Sequence, residues 1–254
     1  MTAPGERTAA WRARAGSFGP VAAAYAALRP GYPSDAVAFV LGERPRRVLD
    51  LGAGTGLLTR ALLAAGHEVV AVDPSAEMLA QLGSRFPDVP TRVGTAEQIP
   101  LPDRDGDAVV AGQAAHWFDI GPAARELRRV LRPGGVVGLI WNTRDRRVPW
   151  VGALDELLSG EIRDHAADQT VVDAFAHLLG AGDDCAESAV VQAVSPAEVV
   201  GGIGTRSYVA TMDAAARETL LGRVAALLET HPDTRGRELL ELPYVTVAHR
   251  LAPG

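Results

Sequence analysis

The stretch VLDLGAGTGLLTRALLAAGHEVVAVD, residues 48–73, decides the fold. Its apolar opening runs into Gly52, Gly54 and Gly56, spaced G-x-G-x-G. LLTRALLAA follows with leucines at helical spacing and is closed by Gly66, and EVVAVD is a second apolar run that ends in an acid. A strand, a tight turn, a helix and a second strand in that order form a βαβ unit, whose strands pair in parallel. Glycines allow positive φ and let a ligand come close to the backbone at the mouth of a strand.

Two kinds of ligand suit such a turn. A dinucleotide sets its pyrophosphate on the helix N-terminus behind G-x-G-x-x-G. Here that pattern would put Leu57 in the third glycine's place, and Asp50, two residues before the first glycine, sets a negative charge beside the ligand. The charge repels a pyrophosphate and attracts an ammonium or a sulfonium. Asp73 ends the second strand, where a carboxylate accepts hydrogen bonds from both hydroxyls of a ribose. The unit therefore predicts a cationic nucleoside.

The pattern continues outward from this unit. RRVLDL, EVVAVD, PTRVG, DAVVAG and VVGLIWN are strand candidates between residues 46 and 142, several of them continuous apolar runs, as strands covered on both faces should be. Between them lie helix candidates: SAEMLAQLGSRF with Ser75 as N-cap, and ARELRRVL closed by RPGG. Residues 17–40 read as two short helices broken by RPGYP. Beyond residue 148 helical segments predominate, with ESAVVQAV and PYVTVAHRL as two further strands and Asp213 as the N-cap of DAAARETLLGRVAALLET. The expected fold is α/β, with a doubly wound, mostly parallel sheet in a single domain over residues 1–254. Within it, residues 1–40 form an N-terminal lid, 41–148 the cofactor-binding core, 149–240 a helical cap and 241–254 a closing strand.

Composition narrows the function. The net charge is -6, against the basic face that nucleic acids and anionic membranes require. All 25 basic residues are arginine, which excludes lysine Schiff-base chemistry and a Walker-type phosphate lysine. Cys185 is the single cysteine, so it has no partner for a disulfide or a metal cluster and reads as a bystander. VAAAYAAL is too short to span a bilayer, and the N-terminus lacks an apolar core of signal-peptide length, so a cytoplasmic protein is expected. The sequence carries no signal of oligomeric state.

VLDLGAGTG, VVAVDPSAEML, VGTAEQIPLPDRDGDAVV and ARELRRVLRPGGVVGLIWN, in that order, resemble the successive motifs of class I S-adenosylmethionine-dependent methyltransferases. The resemblance is close over residues 17–148 and thinner beyond, in TRSYV and LPYVTVAHR. It implies a seven-stranded Rossmann-like sheet, S-adenosyl-L-methionine as cofactor and S-adenosyl-L-homocysteine as product. By it, Gly52, Ala53 and Gly54 pack against the methionine part of the cofactor with Asp50 nearby, and Asp73 takes the ribose. Pro74 and Met78 lie on the adenine face. Thr95 stands where the family often has an aspartate for the adenine amino group, and Ala96 offers its N–H to the ring. Glu97 reads as either a ligand contact or a local turn or helix-end contact. Tyr25 and Arg29 belong to a lid over the methionine end, Arg29 pairing with the cofactor carboxylate. Gln113 approaches the amino-acid part through its carbonyl.

His116 and Trp117, in AGQAAHWFDI, face the methyl group or the acceptor, with His116 the candidate general base. Trp141 and Asn142 line the acceptor pocket, and Arg144, Arg146, Arg147 and Arg206 are candidate partners for an acceptor carboxylate. The subgroup with HWFD and WNTRD resembles small-molecule enzymes, trans-aconitate-type carboxylate O-methyltransferases among them. Enzymes that methylate base amines of nucleic acids carry Asn/Asp-Pro-Pro-aromatic where this chain has Gln113-Ala114-Ala115-His116, so the expected partner is a small molecule and neither nucleic acid nor membrane. Three readings stand at this point: an O-directed small-molecule methyltransferase, an enzyme using the same cofactor fold for a cyclisation or rearrangement, and a non-catalytic cofactor-binding protein.

Overall fold

The computed structural model describes residues 29–158, 165–205, 209 and 212–253. In chain order the elements are α1 (Ser34–Leu41), β1 (Arg47–Leu51), α2 (Leu57–Ala64), β2 (Glu68–Asp73), α3 (Ala76–Arg85), β3 (Thr91–Val93) and β4 (Gly106–Gly112). A 3₁₀ turn (Ala115–Trp117), α4 (Ile120–Val130) and β5 (Leu131–Arg144) follow. The last third contains α5 (Pro149–Leu157), α6 (His165–Leu179), β6 (Ala181–Val194), α7 (Pro196–Gly204), α8 (Ala214–Thr230) and β7 (Leu240–Pro253).

The seven strands form one sheet in the order β3-β2-β1-β4-β5-β7-β6. β1 pairs in parallel with β2 and β4, and the β2–β3 and β4–β5 pairs are also parallel. β7 enters antiparallel between β5 and β6. The chain winds outward from β1 to β3, then returns to start again at β4. The crevice between the carboxyl ends of β1 and β4 is therefore the switch point at which open α/β sheets bind ligands.

The sheet is buried because neighbouring residues point to opposite, covered faces. On one side Val48, Ala71, Val110 and Ile140 pack under α1, α2 and α3. On the other Leu49, Val109 and Leu139 pack under α4 and α6. Local signals set the helix ends. Ser75 Oγ accepts from Met78 N at 3.3 Å and Asp213 Oδ1 from Ala216 N at 2.9 Å, so both N-caps form as predicted. Gly66, at φ +83°, ends the turn after α2.

The stretch 149–240 divides in three rather than forming one helical layer. α5, α7 and α8 share a separate core of Trp150, Leu154, Ile203 and Leu228 with Leu240 and Leu242 at the start of β7. That end of β7 lies beside the carboxyl end of β5, where Arg144 pairs with Tyr244 in the ladder. α6 instead covers a sheet face through Val172 and Phe175. β6 is an edge strand longer than ESAVVQAV suggested.

Helix α1 rests on a glycine of β5. A methyl group on Gly138 would collide with Val40 Cγ1 and stand 3.2 Å from Val110 Cγ1. Gly138→Ala is expected to lower stability by about 1–3 kcal/mol through overpacking. Urea denaturation reads this directly, and an unchanged midpoint would mean that α1 lifts from the sheet at no cost.

Candidate active site

The glycine turn is fastened to both strands beside it. Gly52 N and Ala53 N donate to Val72 O of β2 at 2.8 and 3.1 Å. Gly52, Gly54 and Gly56 have φ of +75°, +55° and +88°, which L side chains resist. Gly52 is also needed for space, since a Cβ there would stand 2.6 Å from Ala114 Cβ in the loop after β4. Asp73 closes the arrangement. Its Oδ2 accepts from Gly54 N at 2.9 Å and its Oδ1 from Ser75 N at 2.8 Å. Each oxygen has one amide and keeps a second acceptor direction.

Asp50 lies beneath this turn and is 1 % exposed. Its Oδ2 accepts from Thr59 Oγ1 of α2 at 2.5 Å, while Oδ1 is buried with no hydrogen-bond partner. Burial pushes its pKa up to about 7; the Thr59 bond opposes this and the nearby Asp73 carboxylate adds to it. Burial also raises Asp73, against the two amides that bond it. Among the described residues no arginine or histidine pairs with either acid. Two buried carboxyls without a cation form a site that a cationic ligand stabilises.

The adenine-side candidates gather at the same mouth. Met78 Sδ lies 3.7 Å from where a Cβ on Gly54 would be, so its thioether rests against the turn beside half-buried Pro74. Gly94 N donates to Asp73 O at 3.2 Å, and Thr95 bridges to Gln98, which sets Thr95 and buried Ala96 next to the end of β2. Glu97 has the bland role: its Oε1 accepts from Asp119 N at 2.8 Å, at the start of α4.

At the ends of β4 and β5 the polar groups hold one another. Gln113 has φ +54°, with its N donating to Ile140 O at 2.9 Å and its Nε2 to Asn142 O at 2.5 Å. His116 and Trp117 follow in the 3₁₀ turn with ring centroids 4.7 Å apart, and Trp117 is 41 % exposed. This turn follows directly on the carboxyl end of β4.

Three acceptor-side candidates have partners within the framework. Asn142 does not present a free amide: its Nδ2 donates to Gly31 O at 3.1 Å and its Oδ1 accepts from Thr246 Oγ1 at 2.6 Å. Trp141 is 1 % exposed and packs edge-on against His249, on the α6 side of the sheet. There it lines a cleft of about 480 Å³ together with Thr143, Arg144 and Glu187. Arg144 forms a buried ion pair with Asp155 of α5, its Nε donating at 2.6 Å, so its charge is already met. Arg146 also approaches Asp155, at 3.9 Å, and Arg147 pairs with Asp145 at 2.8 Å.

Arg29 is half-buried just before Gly31. Tyr25 and Arg206 lie outside the described residues. Tyr32 was not among the expected site residues, yet its Oη is 2.5 Å from the Cβ position of Gly112. The signal was there in the tyrosine of RPGYP and in the glycine that ends DAVVAG. Cys185 has more company than expected: its Sγ is 4.0 Å from His249 Nε2, and His249 Nδ1 is 3.0 Å from Asp183. Burial and the Asp183 and Glu187 carboxylates raise its pKa, so it rests as a neutral thiol.

Comparison with known proteins points one way. A family model described as a methyltransferase domain matches residues 49–139. Uncharacterized methyltransferases of Mycobacterium bovis and Mycobacterium tuberculosis are 43 % identical over 235 residues, which covers 92 % of this chain and 94 % of each relative. A malonyl-[acyl-carrier protein] O-methyltransferase of Pseudescherichia vulneris is 38 % identical over 130 residues, 50 % of this chain and 52 % of that protein. Among solved structures, a protein of Anaeromyxobacter dehalogenans described as an inferred type II methyltransferase superposes with a TM-score of 0.65 at 25 % identity, covering 88 % of this chain and 97 % of the other.

Two outcomes are expected. Asp50 has a native pKa of about 7, above its ordinary 3.8, so between those values the native state holds a proton that the unfolded state has released. Its contribution to stability therefore falls as pH rises from about 4 to 7. Asp50→Asn removes this dependence, so the unliganded variant should gain on wild type from pH 5 to 8, by about 1.4 kcal/mol for each tenfold difference in proton affinity between the native and unfolded carboxyl. Thermal melts across that range test it, and a pH-independent difference would refute it. Arg144→Met leaves the buried Asp155 carboxylate with only the more distant Arg146 and should cost about 3 kcal/mol, much of it recovered in Arg144→Met/Asp155→Leu, as read by urea denaturation.

Proposed function

The chain belongs to the class I S-adenosylmethionine-dependent methyltransferases, and we propose that it methylates an oxygen atom of a small, non-polymeric acceptor. The observation that carries the cofactor part of this reading is the buried Asp50 oxygen left without a partner beneath the glycine turn. S-adenosylmethionine fits that site: its methionine end is cationic, and Asp50 has no competing arginine among the described residues. Its ribose hydroxyls suit the second acceptor directions of Asp73, its adenine the Met78 thioether and Pro74, and its ring edge Thr95 and Ala96. Gln113, at positive φ, is assigned to the amino-acid part through its carbonyl. Arg29, with Tyr25, is assigned to the methionine carboxylate.

Bound there, the cofactor supplies an activated methyl group on a sulfonium. The chain's own work is to orient and to exclude water, because methyl transfer is an in-line displacement that rewards alignment. His116 and Trp117 stand at the end of β4 on the acceptor's side. For a hydroxyl acceptor His116 is the group to take the proton; a carboxylate acceptor needs no base and uses His116 as a hydrogen-bond donor. Carboxylate methylation is supported by the half-length likeness to an O-methyltransferase of malonyl-acyl carrier protein. With Arg144 paired to Asp155, the cation assigned to an acceptor carboxylate is Arg206. Gln113-Ala114-Ala115-His116 and the net charge of -6 support a small molecule over nucleic acid.

Calorimetry with S-adenosylhomocysteine should give saturable binding by wild type and binding weakened about tenfold or more in Asp73→Ala, which loses a charged acceptor of two hydroxyls. Equal affinity in the variant would remove the ribose assignment. Methyl-labelled cofactor incubated with a metabolite pool should place label in a small organic acid; label only in products without a carboxylate would rule out that acceptor class.

A further inference from the structure

Among the described residues Asp50 is held from one side only, by Thr59, whose hydroxyl is the stronger influence and whose backbone amide adds to it. Thr59, fully buried on α2, donates from Oγ1 to Oδ2 at 2.5 Å, and Oδ1 is buried without a partner. The other neighbours among the described residues give Asp50 no side-chain donor. Ala71 of β2 and Val110 of β4 flank it in the sheet, and the charged group that faces it is Asp73 at the end of β2, of the same sign. Among the described residues Thr59 is therefore the one hydroxyl that fixes which carboxylate oxygen is engaged and which is left over.

We propose that Thr59 is a positioning residue for the cofactor: by anchoring Oδ2 it keeps Asp50 as a carboxylate and leaves Oδ1 to the cationic methionine end. This rests on the reading of Asp50 as a cofactor group. A hydroxyl that donates to a carboxylate favours the charged form, which here works against both burial and the Asp73 charge. Without it the carboxyl keeps its proton to higher pH, and the neutral acid does not attract a cation. The loss should be a shift in the pH at which the site becomes competent, with alkaline affinity preserved. A threonine that merely fills space would give a loss independent of pH.

Calorimetric titration of wild type, Thr59→Val and Thr59→Ser with S-adenosylhomocysteine from pH 6 to 9 tests this. The ratio of variant to wild-type affinity cancels the ligand's own titration. Thr59→Val should bind about tenfold more weakly at pH 6, the scale of a hydrogen bond to a charged group, and converge on wild type toward pH 9. Thr59→Ser, which keeps the hydroxyl, should follow wild type throughout. Should Thr59→Val not fold, Thr59→Ala removes the hydroxyl without the branched side chain and carries the same expectation. A ratio that is flat with pH, at unity or below it, overturns the role of Thr59 while the cofactor site stands. Absence of binding by wild type at every pH overturns the site and this inference together.

Discussion

The interaction on which the site depends is the one that Asp50 lacks. A carboxylate taken from water into a protein interior costs several kcal/mol unless an opposite charge or a full set of donors meets it. Asp50 has one donor, Thr59, and a second acid close by. A fold built for stability alone would place an apolar residue there. Its surroundings make sense when the missing partner is a ligand cation. The turn above it is glycine, so the backbone leaves room, and the two amides on Asp73 hold that acid in place while leaving acceptor capacity unspent.

Across β1 and β2 the sheet is electrically divided between its two ends. At the amino ends of the strands carboxylates and arginines are matched. Arg47 meets Asp105 at 2.9 Å and also pairs with Glu68, and Arg132 meets Asp107 at 2.7 Å. Arg129 binds Glu126 and Asp103. The backbone amide of Arg47, with Arg132 behind it, holds Asp107 below the usual carboxylate range, and Arg129 does the same for Glu126. At the carboxyl ends Asp50 and Asp73 are raised instead. The same residue type thus braces the fold at one end and lies without a cation among the described residues at the other, and the difference lies in what the neighbouring strand ends supply.

This division explains what could be read from sequence. The inner strands β1, β2, β4 and β5 were visible as apolar runs, because a strand covered on both faces leaves that mark regardless of its partners. Asp50, the glycines and Asp73 were visible because the turn and its acids are local, within 26 residues of one another. The framework role of Asn142 was hidden for the opposite reason. Its side-chain partners are Gly31 and Thr246, at separations of 111 and 104 residues, and no local pattern reports that its amide is spent on the framework. Tyr32 was missed because its meaning depends on a glycine at the end of a strand far along the chain.

The acceptor side follows the same logic with a different result. WNTRDRR offers three arginines just where an anionic acceptor would approach, and the inference from sequence is that they bind it. Asp155 of α5 takes Arg144 instead, with both side chains at or below 10 % exposure. A buried pair of this kind adds little net stability over apolar packing, but it fixes geometry, since either partner alone is heavily penalised. Here it ties α5, and through the shared core α7 and α8, to the carboxyl end of β5. The charge that looked like substrate recognition sets where the helical cap sits. Arg146 and Arg147, beyond the end of β5, are likewise drawn to Asp155 and Asp145, so the arginines of WNTRDRR answer to acids of the framework.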